Sequence, residues 1–291
     1  MKKQFVLYIL ICVLISSCAP KSIDIDVAPG ESKIVVSSQI VPYQYMFLTL
    51  TKSYSALTPL TTNDTVSSNV LNQFLVNNAL VTVAYDNQMD TLQMLTPGIY
   101  YSTNILLTNY NTYTLRVKEP STGQEVTAVT TMLPQVLFDT IYPVVAKNPN
   151  DTVVSVKYVL KDNPNEENFY VINYILKQQA GGANLDINSY FGKGSNKLLS
   201  NYELLNDASF TNNVLAGETI LTGVKSNDSI AVEMANISKG YYDFLTAAKR
   251  RGEIVTQLTS EPIHFPTNIQ NGYGYFNAYF PEGKVFYLGS Y

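Results

Sequence analysis

The sequence holds no tryptophan, one histidine and two cysteines in 291 residues, and only 14% of it is charged. Each shortage removes a class of function. His264 stands alone, so a typical zinc site, which needs three or four His, Cys or acidic ligands, is not expected. A Ser-His-Asp or Cys-His system would have to use His264 as its base. No G-x-S-x-G elbow accompanies it, and Ile263 and Phe265 flank it as neighbours of a packed strand residue would. Without Trp the chain lacks the largest stacking platform for a sugar ring. No Lys/Arg stripe tracks a phosphate backbone and the net charge is −4, so nucleic acid is not an expected partner. Beyond the N-terminus no run of 18 apolar residues occurs, so no membrane-spanning helix is expected there.

The two cysteines are explained by the N-terminus. Lys2 and Lys3 precede an apolar run from Phe5 to Ile15. That run has the length of a signal-peptide core and is too short for a bilayer of ~30 Å, which needs roughly 20 residues. Ile15-Ser16-Ser17-Cys18 then follows the lipobox order of a branched apolar residue, two small residues and cysteine. Small residues fit a narrow peptidase cleft, and the thiolate is the nucleophile that takes a lipid. The expectation is a signal peptide over 1–17, cleavage between Ser17 and Cys18, and lipidation of Cys18. Cys12 leaves with the signal, so the mature chain has no disulfide and relies on its own core. Loss of Lys2 and Lys3 takes the net charge from −4 to −6. Residues 18–32, acidic at Asp24 and Asp26, read as a solvated tether. No Asp follows Cys18 directly, which argues against retention in an inner membrane.

What is abundant is tyrosine, 22 of them, with Val, Ile and Thr. These residues favour strands, and a period of two dominates from residue 33. Val81, Val83 and Tyr85 alternate before an Asp86-Asn87 turn. Tyr113, Leu115 and Val117 alternate before "EPSTGQ", and Val126, Ala128 and Thr130 return. Pro97-Gly98 marks another turn. Residues 55–74 read as a long loop. One buried and one wet face per strand predicts a β-sandwich of about seven strands over 33–134, with Pro134 as boundary.

Residues 135–291 read as a second β-rich domain. Strands are expected over 151–162, 167–178 and 229–237, with a Gly- and Asn-rich loop over 180–197. The spacing of Tyr241, Leu245 and Ala248 predicts one helix over 239–251, capped by Ser238 and closed by Gly252. Lys249, Arg250 and Arg251 fall in its last turn, where cations suit the helix dipole. Paired acids for glycoside hydrolysis would have to come from Asp139, Asp151, Asp162, Glu166 and Glu167, which fall in turns or at strand edges, where acids are usually solvated. "DNPNEEN" lacks the spacing of a calcium loop. Gly272 and Gly274 in "NGYGYF" precede no helix, so they read as a bulge or close backbone approach rather than a phosphate cradle.

Several stretches occur together in order: "CAPKSIDIDVAPGESKIVVSSQI", "PGIYYST", "TYTLRVKEPSTGQEVTAVTTMLP", "DNPNEENFYVINYIL", "NISKGYYDFLTAAK" and "EPIHFPTNIQNGYGYFNAY". In them the chain resembles the domain of unknown function 4249 family, lipoproteins of Bacteroidetes-type bacteria. The resemblance implies an outer-membrane lipoprotein. Its N-terminal sandwich would be immunoglobulin-like or carboxypeptidase-regulatory-like, followed by a second β-rich domain. It also implies companionship with TonB-dependent β-barrel transporters. It brings no catalytic or binding residues to this chain. Asn271 departs from the family pattern, standing where a second Gly is expected. The expected function is therefore a non-enzymatic lipoprotein without cofactor or metal, an accessory or substrate-binding partner of such a transporter. The alternative is a surface adhesin or structural lipoprotein.

Overall fold

The computed structural model describes residues 31–40, 46–53, 74–105, 111–147, 152–177, 200–251 and 265–291. The protein is mainly β, with a single α-helix among these residues and no closed barrel. Strands β1 (Ile34–Ile40), β2 (Met46–Lys52), β3 (Leu80–Tyr85), β4 (Gln88–Thr91), β5 (Gln93–Thr96), β6 (Ile99–Ser102), β7 (Thr112–Lys118) and β8 (Glu125–Thr131) come first. Then follow β9 (Thr140–Lys147), β10 (Thr152–Lys161), β11 (Phe169–Lys177), β12 (Ser200–Asn206), β13 (Val214–Val224) and β14 (Ser229–Asn236). Helix α1 (Lys239–Arg251) precedes β15 (Ile269–Gln270), β16 (Tyr273–Ala278) and β17 (Glu282–Tyr287).

Four sheets form two sandwiches. Sheet A (β16-β1-β2-β6-β5) faces sheet B (β15-β8-β7-β3-β4), and sheet C (β13-β10-β9) faces sheet D (β12-β11-β14-β17). The alternation read in the sequence is the cause. Val81, Val83, Tyr113, Leu115, Val117 and Val126 point inward to one core with Ile34, Leu48 and Leu50. Val154, Val156 and Leu160 of β10 meet Ile172, Tyr174 and Val232 in the other. The turns follow local chemistry. Asp86 and Asn87 take positive φ of 46° and 57°, which a two-residue hairpin of the primed type requires. Gly98 takes φ 73° after Pro97, the pattern of a type II turn. Helix α1 covers the expected span, and the Tyr241 amide donates to Ser238 Oγ at 3.3 Å as an N-cap.

The first sandwich has five strands in each sheet rather than about seven in all. Two come from the C-terminal part that the sequence assigned to the second domain. β16 pairs in parallel with β1, Val35 against Tyr273 through Ile40 against Ala278, and β15 pairs with β8. Phe276, Ala278 and Ile269 fill the first core. The physical reason is the pair of glycines in "NGYGYF". A Cβ on Gly274 would lie 1.8 Å from the Val36 carbonyl oxygen, and one on Gly272 would lie 2.6 Å from that of Ile34. Only a residue without a side chain lets β16 reach β1 there, and φ 95° at Gly274 suits glycine alone. Asn271 holds φ 63°, a conformation that Asn tolerates better than other side chains. The departure from Gly at that position therefore leaves the turn intact.

Asn268 staples this return. Its amide nitrogen donates to the Val129 carbonyl at 3.1 Å and to that of Phe276 at 2.7 Å, while its oxygen accepts from the Phe276 amide at 3.0 Å. A third apolar cluster joins the halves. Tyr241 and Phe244 of α1 lie 5.2 and 5.3 Å, ring to ring, from Tyr275 of β16, over Phe169, Val171 and Ala235 of sheet D.

Candidate functional site

Ser17 and Cys18, the residues whose chemistry the sequence singles out, lie outside the described residues, as do Asp151, His264, Gly252 and the loop over 180–197. What is described is the body that such an anchor would carry, and it has a polarity. The chain enters β1 at Ile34, beside the Lys52 end of β2 and the 119–124 turn. Gln124 Nε2 donates to the Ser32 carbonyl at 2.6 Å there. β8 ends at Thr131 and β16 at Ala278, both at the other end of the sandwich. The chain also approaches β15 from that side, since Ile269 faces Ala128 and Gln270 faces Thr127. The exits after β8 and β16 and the approach to β15 thus all lie opposite the N-terminal segment.

Asp162 and Asp139, two of the candidate acids, each have a partner. Asp162 accepts from the Tyr170 phenol at 2.5 Å, and Asp139 pairs with Lys161 at 2.6 Å. Glu166 and Glu167 sit exposed in their turn. Lys249 places its ammonium 5.9 Å from the Tyr202 ring centroid, and Arg250 is exposed. Among the described residues no three His, Cys, Asp or Glu side chains gather as a metal would need. No described helix is long and apolar enough to cross a membrane.

Two polar clusters escaped the sequence. At the N-terminal end of the first sandwich, Glu119 is buried and receives Lys52 from the facing sheet at 2.7 Å, Ser121 at 3.0 Å and Thr122 at 2.8 Å. Burial works to raise the Glu119 pKa, but Lys52 and the two hydroxyls outweigh it and hold the carboxyl below its usual value. In the second sandwich Glu203 Oε2 accepts from Tyr158, Tyr174 and Thr219, each at 3.0 Å. Tyr158 reaches it by lying over Gly217, where a Cβ would meet the ring at 2.1 Å. Burial first, then the nearby Glu203 charge, pushes the Tyr158 phenol well above its ordinary value. The only sequence signal for Glu203 was its place at an inward step of "NYELLN", two before buried Leu205. A third polar feature is Asn277, 1% exposed, whose amide nitrogen and oxygen find no partner among the described residues.

The family model described as "Domain of unknown function (DUF4249)" matches residues 20–282. The chain belongs to this DUF4249 family. The match runs across both sandwiches and through β15 and β16, so the return of the chain to the first sandwich falls within the DUF4249 span. A search of curated proteins found no match. Among solved structures, the chicken interferon gamma receptor alpha chain is similar at 8% identity, covering 71% of this chain and 89% of that one. Its TM-score of 0.20 is too low for the likeness to bear on this fold.

Proposed function

We propose that this DUF4249 chain is a non-enzymatic outer-membrane lipoprotein, anchored by lipid on Cys18, that serves as an accessory or substrate-binding partner of a TonB-dependent transporter. The observation that carries the reading is the polarity of the first sandwich. The tether enters at one end and the second half is attached at the other, so the first sandwich acts as a spacer. Fully extended, residues 19–31 would add a reach of up to ~45 Å. Lipid chains supply ~0.8 kcal/mol of membrane affinity per buried methylene, enough for firm anchoring without a spanning helix. The Glu119 and Glu203 carboxylates are engaged in contacts between facing sheets, the use a structural group has.

Fractionation of the native host tests the anchor. The intact protein is expected in the outer-membrane fraction and a Cys18→Ser variant outside it; equal partitioning of the two overturns the reading. The alternative, an adhesin or structural lipoprotein, draws on the same spacer geometry. Protease shaving of intact cells with and without the neighbouring transporter separates them. Exposure that does not change when the transporter is deleted favours the adhesin.

A further inference from the structure

We propose that the first sandwich is a force-bearing link, in which the parallel pair of β1 and β16 takes tension between the N-terminal tether and the second half as shear. Among the described strands this is the one parallel pairing, and every other runs antiparallel. Val35 faces Tyr273 where the tether enters, and Ile40 faces Ala278 where β16 leaves for the second half. Only residues 279–281 separate β16 from β17. Tension therefore pulls β1 from its N-terminal end and β16 from its C-terminal end, at opposite ends of one ladder. All six register pairs then carry the load together. Strands pulled at adjacent ends open one pair at a time instead. Forced unfolding is governed by the unfolding rate, and a barrier that requires six pairs to slip at once exceeds one that requires a single pair to open.

The packing ties each strand to the body that pulls it. Phe276 and Ala278 share the first core with Ile34 and Val36 of β1, which resists their sliding apart. Tyr275 lies against Tyr241 and Phe244 of α1, and a Cβ on Gly240 would sit 2.4 Å from its phenol oxygen. So β16 moves with the second half, while β1 moves with the tether. Without β16, β1 would pair with β2 alone, and β2 has no direct link to the second half. Load transfer is what the return of the chain to the first sandwich achieves. The source of the load rests on the Cys18 anchor proposed above, which fractionation tests separately. The resistance is a property of the folded chain alone.

The test is single-molecule pulling in solution on the mature chain produced without lipid, so that Cys18, its sole cysteine, takes one handle. A second handle on Asn227→Cys, in the exposed turn between β13 and β14, loads the β1–β16 pair in shear. A second handle on Pro120→Cys instead, exposed at the tether end of the first sandwich, peels β1 from Ile34 onward. The rupture force is expected to be several-fold higher in the first arrangement. Rupture there should lengthen the chain by about 300 Å or more, as the first sandwich gives up residues 34–138. Gly274→Ala should lose most of the excess force. Circular dichroism verifies that each variant remains folded, and the comparison of the two arrangements needs no change in the ladder itself. Equal rupture forces in the two arrangements overturn the proposal. So does a shorter first rupture, in which the second half yields before the pair does, or a folded Gly274→Ala chain whose shear force is undiminished.

Discussion

The phenol of Tyr158 in sheet C donates to Glu203 Oε2 in sheet D at 3.0 Å, while Tyr174 and Thr219 donate to the same oxygen. β12 and β13 are the matching edges of the two sheets. This carboxylate therefore closes one open side of the second sandwich by hydrogen bonds rather than by apolar packing.

Removing the shared acceptor leaves its buried donors unmatched. Glu203→Ala is expected to cost roughly 2–4 kcal/mol, and Tyr158→Phe about 1.5 kcal/mol, because a hydrogen bond to a charged group exceeds a neutral one. Urea titration of each variant measures this. Equal midpoints for Glu203→Ala and the parent would remove the cluster from the account of stability.

The same phenols set an alkaline limit. Burial raises the pKa values of Tyr158 and Tyr174 above the ordinary 10.0. As the pH climbs past that value, the unfolded chain releases protons that the folded chain retains. Stability is therefore fully present below the ordinary value and falls above it. Urea midpoints between pH ~8 and ~11 should show the decline, and Tyr158→Phe with Tyr174→Phe should lessen it, with Tyr170, raised likewise by burial, sustaining part of the rest.

At the N-terminal end of the first sandwich the sign reverses. The Glu119 carboxyl sits below its ordinary value of 4.5, held there by Lys52, Thr122 and Ser121 against burial. The folded chain thus keeps the charge at a pH where the unfolded chain has taken up a proton. Its stabilising effect is present above the ordinary value and is lost as the pH falls through the folded one. Glu119→Ala should cost about 3 kcal/mol near neutrality by stranding Lys52 and its hydroxyl donors. It should also remove part of the acid-induced loss. A parallel shift of the parent and variant curves across the acid range would contradict this.

Gly274 and Gly223 form a matched pair of probes. Both have positive φ, but a Cβ on Gly223 meets nothing within 4 Å, whereas one on Gly274 strikes the Val36 carbonyl. Gly223→Ala is expected to cost about 1 kcal/mol. Gly274→Ala should cost about 3 kcal/mol or more, because β16 must leave β1. Limited proteolysis after residue 265 should then quicken in the Gly274 variant only. Equal costs for the two would mean that close approach at Gly274 contributes nothing.

The parts of the fold legible in the sequence were local. The Asp86-Asn87 and 119–124 hairpins carry their own turn residues, and α1 carries both its cap and its apolar stripe. Strands β12 and β13 were hidden for different reasons. β12 is buried on both faces, by Leu205 within the sandwich and by Tyr202 and Leu204 beneath α1, which erases its alternation. β13 holds Gly217 and Thr219 at inward steps, where the Tyr158 ring fills the space. The parallel pairing of β1 with β16 joins Val35 to Tyr273, and no local signal reports so distant a partner. Gly272 and Gly274 signalled a close approach without saying to what. The Glu203 cluster escaped because its donors come from β10, β11 and β13, which only the tertiary fold brings together.

Purification of the intact lipoprotein from mildly solubilised envelopes of its native host tests the central claim most directly. The account predicts that an outer-membrane β-barrel transporter co-purifies in near-stoichiometric amount, and that it is lost when Cys18 is replaced by Ser. Recovery of the lipid-anchored protein with no β-barrel partner would contradict it.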